Sequence, residues 1–199
     1  MYKVYGMRTS GNCYKVKLLL EQLGEPYEWE EIPSTRVQPR TKEFLAINPN
    51  GKVPVIRLAD GRHLAESNAI LFYLAEGTPY LPEDRFDHAQ VLQWLFFEQN
   101  HHEPNIAVAR FIKRYYQETN SRWQELPTLH ESGYRALGVM EQALARQPYL
   151  AGEAYTIADI SLFAYTHVAH EGGYDLTPYP AINSWLERVK GQPGFTPLG

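Results

Sequence analysis

Hydrophobic positions along the chain follow two different periods, and the change comes after a short linker that contains two prolines. Before the linker, short runs rich in Val, Tyr and Ile are separated by stretches whose apolar residues recur at helical spacing. After it, only helical spacing is found. The pattern predicts an α/β domain over residues 1–77, a linker over 78–85 and an all-helical domain over 86–199.

The first domain is predicted to follow the order β-α-β-α-β-β-α. Its first helix carries an apolar stripe that ends at Gly24, and its second strand runs parallel to the first if it returns through that helix. A four-stranded mixed sheet with helices on its faces follows from this order. The predicted strands are 2–6, 27–32, 53–58 and 62–65, and the later helices are 41–47 and 67–76.

The second domain is predicted to be a helical bundle. Pro104 is expected to bend or break the first of its helices, because proline lacks an N–H and crowds the preceding turn. Thr156 and Asp159 have the spacing of a capping box, and the helix that they begin is apolar nearly all round, which predicts a central, buried helix. The predicted helices are 86–116, 128–146, one beginning at Thr156, and 181–190.

Composition and charge exclude several classes of function. The 23 acidic and 19 basic residues give a net charge of −4, with no Lys/Arg cluster, so nucleic acid is not an expected partner. The single cysteine, Cys13, cannot form an internal disulfide and suits a reducing compartment. No signal-peptide core and no membrane-spanning apolar run is present. We expect a cytoplasmic protein without a membrane partner.

Two dipeptides of the first domain suggest a dock for a small peptide. Val53-Pro54 precedes a short apolar run, and proline belongs at the start or edge of a strand, where an extended peptide could pair with the backbone. Glu66-Ser67 precedes an apolar helical stretch. Ser67 is a candidate N-cap, and the N–H groups of a first helical turn attract a carboxylate.

Three motifs, in order, support a resemblance to a known family. An α/β half with these motifs, joined to a helical half, resembles the glutathione S-transferase superfamily over nearly the whole chain, and its first domain would be thioredoxin-like. The motifs are Asn48-Pro49-Asn50-Gly51-Lys52-Val53-Pro54, Glu66-Ser67-Asn68-Ala69-Ile70-Leu71-Phe72-Tyr73-Leu74 and Tyr155-Thr156-Ile157-Ala158-Asp159.

The resemblance implies a glutathione site in the first domain. It implies a cis Val53–Pro54 bond, with the Val53 backbone paired to the cysteinyl part of glutathione. Glu66 and Ser67 would hold the ammonium and carboxylate of the γ-glutamyl end, and Lys52 would reach the glycyl carboxylate. The family usually forms twofold homodimers, so a homodimer is expected.

Activation of the glutathione thiol needs a hydrogen-bond donor at the start of the first helix. A fall of about two units in the thiol pKa corresponds to roughly 3 kcal/mol, which one hydroxyl donor and a helix N-terminus can supply together. Ser10 stands at that position, as in serine-type transferases. Asn12 is a candidate co-donor or principal donor, as in a bacterial branch that acts on glutathione disulfides, and Tyr5 is the third candidate.

The resemblance also leaves open what the activated thiol attacks. We expect conjugation to a small apolar electrophile held between the two halves, with Arg110, Phe111 and Tyr115 lining the pocket. The alternatives are a glutathione-dependent disulfide-bond oxidoreductase and a non-catalytic glutathione-binding protein linked to stress. Cys13 is expected to be inert. No metal is expected, since the histidines lack the spacing of a zinc site.

Overall fold

The computed structural model describes residues 1–34 and 40–198, and its contacts divide the chain into two units. The first unit runs from Met1 to Glu76 and includes the tail from Pro193 onward, and the second is Gly77–Gln192. The tail is held by the Tyr14 hydroxyl, which donates to the Thr196 carbonyl at 2.7 Å. No helix among the described residues is long and apolar enough to cross a bilayer.

The first unit is a four-stranded mixed sheet in the order β2-β1-β3-β4, as predicted. β1 pairs with β2 in parallel and with β3 antiparallel, and β3 pairs with β4 antiparallel. The element order β-α-β-α-β-β-α is confirmed. The elements are β1 Tyr2–Gly6, α1 Gly11–Leu23, β2 Tyr27–Glu31, α2 Lys42–Ile47, β3 Val55–Arg57, β4 His63–Ala65 and α3 Ser67–Ala75.

Two boundaries near the predicted site differ from the prediction. The third strand begins at Val55 and not at Val53, because Pro54 has no N–H with which to continue the ladder. Ser67 is the first residue of α3, and Glu66 takes the N-cap position that was predicted for Ser67. The first shift leaves Val53 and Pro54 outside the strand, and the second leaves Glu66 just before the helix that Ser67 begins.

Helices make up the second unit, as predicted. Pro104 lies in the first turn of α5, directly after a π-helical turn at Glu98–His102 that separates α4 from α5. The α-helices are α4 Arg85–Phe97, α5 Glu103–Tyr115, α6 Leu126–Leu144, α7 Ile157–Thr166 and α8 Pro180–Lys190.

The central helix of the second unit is α7, and every one of its residues is buried. Thr156 and Asp159 form the predicted capping box at its start: the Thr156 N–H donates to Asp159 Oδ2 at 2.9 Å. Asp159 Oδ1 also accepts from the Leu150 N–H and from Trp185 Nε1, each at 2.9 Å. One carboxylate therefore joins the α7 cap to the preceding loop and to α8.

Candidate functional site

The loop before β3 is organised by the buried side chain of Asn48. Its amide Nδ2 donates to the Lys52 carbonyl at 2.8 Å, and its Oδ1 accepts from the Asn50 N–H at 3.2 Å. Arg40 Nε donates to the Gly51 carbonyl at 2.6 Å from the other side. These bonds close the turn and place Lys52, whose side chain is exposed, directly before the Val-Pro dipeptide.

The Val53–Pro54 peptide bond is cis, as the resemblance implied. Within the described residues, neither the N–H nor the C=O of Val53 bonds to another backbone group, and the β3 ladders begin at Val55. Buried backbone groups are nearly always paired, so an open pair beside a sheet is a natural place for an extended peptide to add. The half-buried Val53 therefore stays a candidate for backbone pairing with an extended peptide.

The start of α3 combines a strained residue with a buried hydroxyl. Glu66 has φ 70° and ψ 114°, and among the described non-glycine residues only Glu66 has a positive φ. Such a conformation costs on the order of 1–3 kcal/mol and persists where the surroundings hold it, often at a ligand site. The Glu66 side chain is exposed while the neighbouring Ser67 is 6% exposed. The two motif residues therefore lie in different surroundings, one in solvent and one buried.

At the start of α1, Ser10 is the N-cap. Its Oγ accepts from the Cys13 N–H at 3.4 Å, which leaves its hydroxyl proton able to donate elsewhere. Ser10 therefore has the structural role of a cap. In that role its Oγ accepts a hydrogen bond, so its O–H group can still donate one. The Cys13 thiol is fully buried, and this burial raises its pKa to about 11, so the thiol stays protonated at neutral pH. Both observations favour an inert Cys13.

A chain of polar side chains connects α1 with α3. Ser67 Oγ donates to Asn12 Oδ1 at 3.3 Å, and Lys15 Nζ donates to Ser67 Oγ at 3.4 Å and to Asn68 Oδ1 at 3.3 Å. The two helices pack against each other, which brings these residues together. The structure thus joins Asn12, a candidate thiol donor, to Ser67, the candidate carboxylate holder.

Tyr5, the third candidate donor, lies in the core. It is 6% exposed and packs with Ile32, Phe44 and Val55 on one face of the sheet. Its ring meets that of Phe44 at a centroid distance of 6.4 Å. This core role accounts for an aromatic residue at the position, and it makes Tyr5 a weaker candidate than Ser10 or Asn12.

The three residues predicted to line an acceptor pocket share helix α5. Arg110 Nε donates to Glu171 Oε2 at 2.8 Å, and Arg114 Nη1 reaches the same oxygen at 3.1 Å. Partial burial works against ionisation of Glu171, but the two guanidinium groups outweigh it and lower its pKa. Phe111 and Tyr115 are half-buried, with ring centroids 5.0 Å apart. The helix therefore presents an aromatic pair beside two arginines that share one carboxylate.

Lys15, Asn48 and Asn68 contact the candidate site residues and were not predicted as part of the site from the sequence. A signal for Lys15 was present, because it lies three and four residues before Leu18 and Leu19 and so falls on the buried face of α1. The contacts of Asn68 depend on how α1 packs on α3, and no local pattern encodes them. The described residues contain no group of three or more metal-ligating side chains.

Two family models match the sequence. They describe the glutathione S-transferase N-terminal domain, over residues 9–76, and the glutathione S-transferase C-terminal domain, over residues 107–188. The disulfide-bond oxidoreductase YfcG of Escherichia coli (strain K12) is 33% identical over 201 residues, covering 92% of this chain and 87% of that protein.

Solved structures give the same family. A glutathione S-transferase from Pseudomonas fluorescens Pf-5 is 55% identical with a TM-score of 0.96, covering 99% of this chain and 98% of its own. The structure of Ure2p in complex with glutathione is 25% identical with a TM-score of 0.86, covering 97% of this chain and 90% of its own.

Proposed function

The chain belongs to the glutathione S-transferase family, and we propose that it binds glutathione in its first unit and activates the thiol for attack on an apolar electrophile. The observation that carries the proposal is the 3.3 Å contact between Ser67 Oγ and Asn12 Oδ1. It joins the start of α3, suited to a carboxylate, with the start of α1, suited to a thiolate. Glutathione carries both groups.

Each end of the tripeptide has a proposed partner. The Val53 backbone pairs with the cysteinyl residue, Glu66 binds the γ-glutamyl ammonium, and the backbone N–H of Ser67, with the next N–H groups of the first turn of α3, binds the γ-glutamyl carboxylate. Lys52 binds the glycyl carboxylate, and Pro54 holds the loop in its cis form. Solved relatives such as Ure2p, whose structure contains glutathione, support a binding role for this fold.

Thiol activation is assigned to Ser10, with Asn12 as a second donor. The Ser10 hydroxyl lies at the N-terminus of the 13-residue helix α1, so a bound thiolate would gain both a hydrogen bond and the field of the helix. Phe111 and Tyr115 are proposed to contact the acceptor, with Arg110 beside them on α5.

Replacement of Ser10 tests the assignment. We expect Ser10→Ala to lower kcat/KM for conjugation by about ten- to hundredfold at neutral pH, because a hydrogen bond to a charged group is lost. The pH at half-maximal rate should rise as the bound thiol becomes harder to ionise. Ser10→Thr keeps the hydroxyl and serves as the matched control. Equal rates for wild type and Ser10→Ala would refute the assigned role.

A disulfide-bond oxidoreductase is the second candidate function. The 33% identity to YfcG, which is named for that activity, and the placement of Asn12 two residues after Ser10 both favour it. Under this alternative, Asn12→Ala should reduce the glutathione-dependent reduction of a model disulfide more than Ser10→Ala does. Retained glutathione binding without either activity would instead indicate a non-catalytic binding protein.

A further inference from the structure

Lys15 is a buried lysine of helix α1 that contacts the start of helix α3. Its relative exposure is 0%, and it lies in α1 among apolar neighbours such as Val16 and Leu19. Desolvation of an ammonium is costly unless hydrogen bonds or an ion pair compensate for it, so fully buried lysines are rare. Two neutral oxygens, Ser67 Oγ at 3.4 Å and Asn68 Oδ1 at 3.3 Å, accept from its Nζ.

The chemistry of Lys15 dictates the direction of the hydrogen-bonded chain. An ammonium has three donors and no acceptor, so Ser67 Oγ must accept from it. The single hydroxyl proton of Ser67 is then directed to Asn12 Oδ1, 3.3 Å away. With its oxygen engaged in this way, the Asn12 amide turns its nitrogen, which can only donate, away from Ser67.

We propose that Lys15 is a positioning residue for thiol activation, acting through Ser67 and Asn12. By donating to Ser67, it holds the Asn12 side chain with an N–H group, and not an oxygen, toward the glutathione thiolate. An oxygen in that place would repel the thiolate, whereas an N–H group stabilises it. This inference rests on the proposed function, since it requires glutathione to be bound with its thiol at the start of α1.

The test measures the ionisation of bound glutathione in Lys15→Met, a neutral side chain of similar length. With glutathione saturating, ultraviolet difference absorbance of the thiolate is followed against pH. We expect the thiolate fraction at neutral pH to fall by about fivefold, the loss of roughly one ordinary hydrogen bond. Lys17→Met removes the same charge from another face of α1 and should leave the pH profile unchanged.

A double-mutant cycle separates positioning from a general structural effect. In the Asn12→Ala background, Lys15→Met should cause no further change in the pH profile, because the group through which it acts is absent. An equal shift in both backgrounds would overturn the proposal, and so would an unshifted profile in Lys15→Met itself.

A second variant covers the case in which Lys15→Met does not fold. Asn68→Asp is nearly isosteric, and an acidic residue suits the first turn of α3, so folding should be preserved. The new carboxylate would draw the Lys15 ammonium away from Ser67, and the pH profile should shift in the same direction. An unshifted Asn68→Asp profile would count against the proposal. A wild type that binds no glutathione would instead overturn the proposed function itself.

Discussion

At the scale of the residue, Glu66 shows how a local conformational cost can indicate function. Its positive φ is unfavourable for any side chain with a Cβ, and glycine would adopt it with less strain. The exposed carboxylate makes no capping hydrogen bond to α3 that would explain its selection. We propose that the Glu66 carboxylate instead binds a cationic group of the ligand.

Two substitutions of Glu66 should separate stability from binding. We expect Glu66→Gly to be more stable than Glu66→Ala by about 1 kcal/mol, because only glycine relieves the strained φ. Both should bind glutathione several-fold more weakly than wild type, since both lose the carboxylate. Chemical denaturation and calorimetry measure the two quantities. Wild-type affinity in either variant would remove Glu66 from the binding site.

The structural positions of some candidate site residues were predictable from sequence because they depend on local chemistry. Pro54 marks a strand start by its missing N–H, and Ser10 marks a helix start by its cap. The conformation of Glu66 was not predictable, because its positive φ is imposed by neighbours in the fold. The contact of Lys15 with Ser67 was hidden for a similar reason, since the two residues are far apart in sequence.

At the scale of the element, helix α7 depends on one buried carboxylate. Asp159 caps the helix and also binds Leu150 and Trp185. Its spacing with Thr156 made the cap predictable, but the additional partners come from packing. The π-helical turn at Glu98–His102 was likewise hidden, because helical periodicity cannot show one locally inserted residue.

Burial of Asp159 predicts a pH dependence of stability. Desolvation raises its pKa to about 6, and hydrogen bonds from Leu150, Thr156 and Trp185 oppose that rise. The native carboxyl thus holds its proton to a higher pH than the unfolded one, so its contribution to stability falls as pH rises from about 4 to 6. We expect wild type to lose about 2 kcal/mol over this window relative to Asp159→Asn.

Urea denaturation of both proteins at several pH values checks this expectation. The comparison with Asp159→Asn removes the contribution of the other titrating groups, which the two proteins share. A difference between the two proteins that grows in the opposite direction would show that the hydrogen bonds, and not desolvation, dominate the ionisation of Asp159.

At the scale of the whole molecule, the change of hydrophobic period identified both the sheet-containing part and the helical part. The contacts of the tail from Pro193 with the first unit were not predictable, because they join residues at opposite ends of the sequence. The second unit also has large apolar side chains that are exposed to solvent in a single chain. Phe86 is 69% exposed and Phe96 is 65% exposed. We propose that some of this surface is covered in a homodimer, the usual state in this family.

The dimer proposal predicts a mass of twice the 22.9 kDa of one chain in sedimentation equilibrium. Replacement of Phe86 and Phe96 together by aspartate should shift the species toward the monomer, because two charges would be buried at the interface. Val139→Asp, at an exposed position on α6, is the control for the effect of an added charge. It should leave the mass of the species unchanged. A wild-type protein that sediments as a monomer would contradict the proposal.

The most direct test of the central proposal is a calorimetric titration of the purified protein with reduced glutathione and, in parallel, with glutathione disulfide. We expect saturable binding of reduced glutathione at one site per chain, weakened in Glu66→Ala. Tighter binding of the disulfide would favour the oxidoreductase and give Asn12 the larger role. If neither form of glutathione gives binding heat, the assignment of a glutathione site to this chain is contradicted.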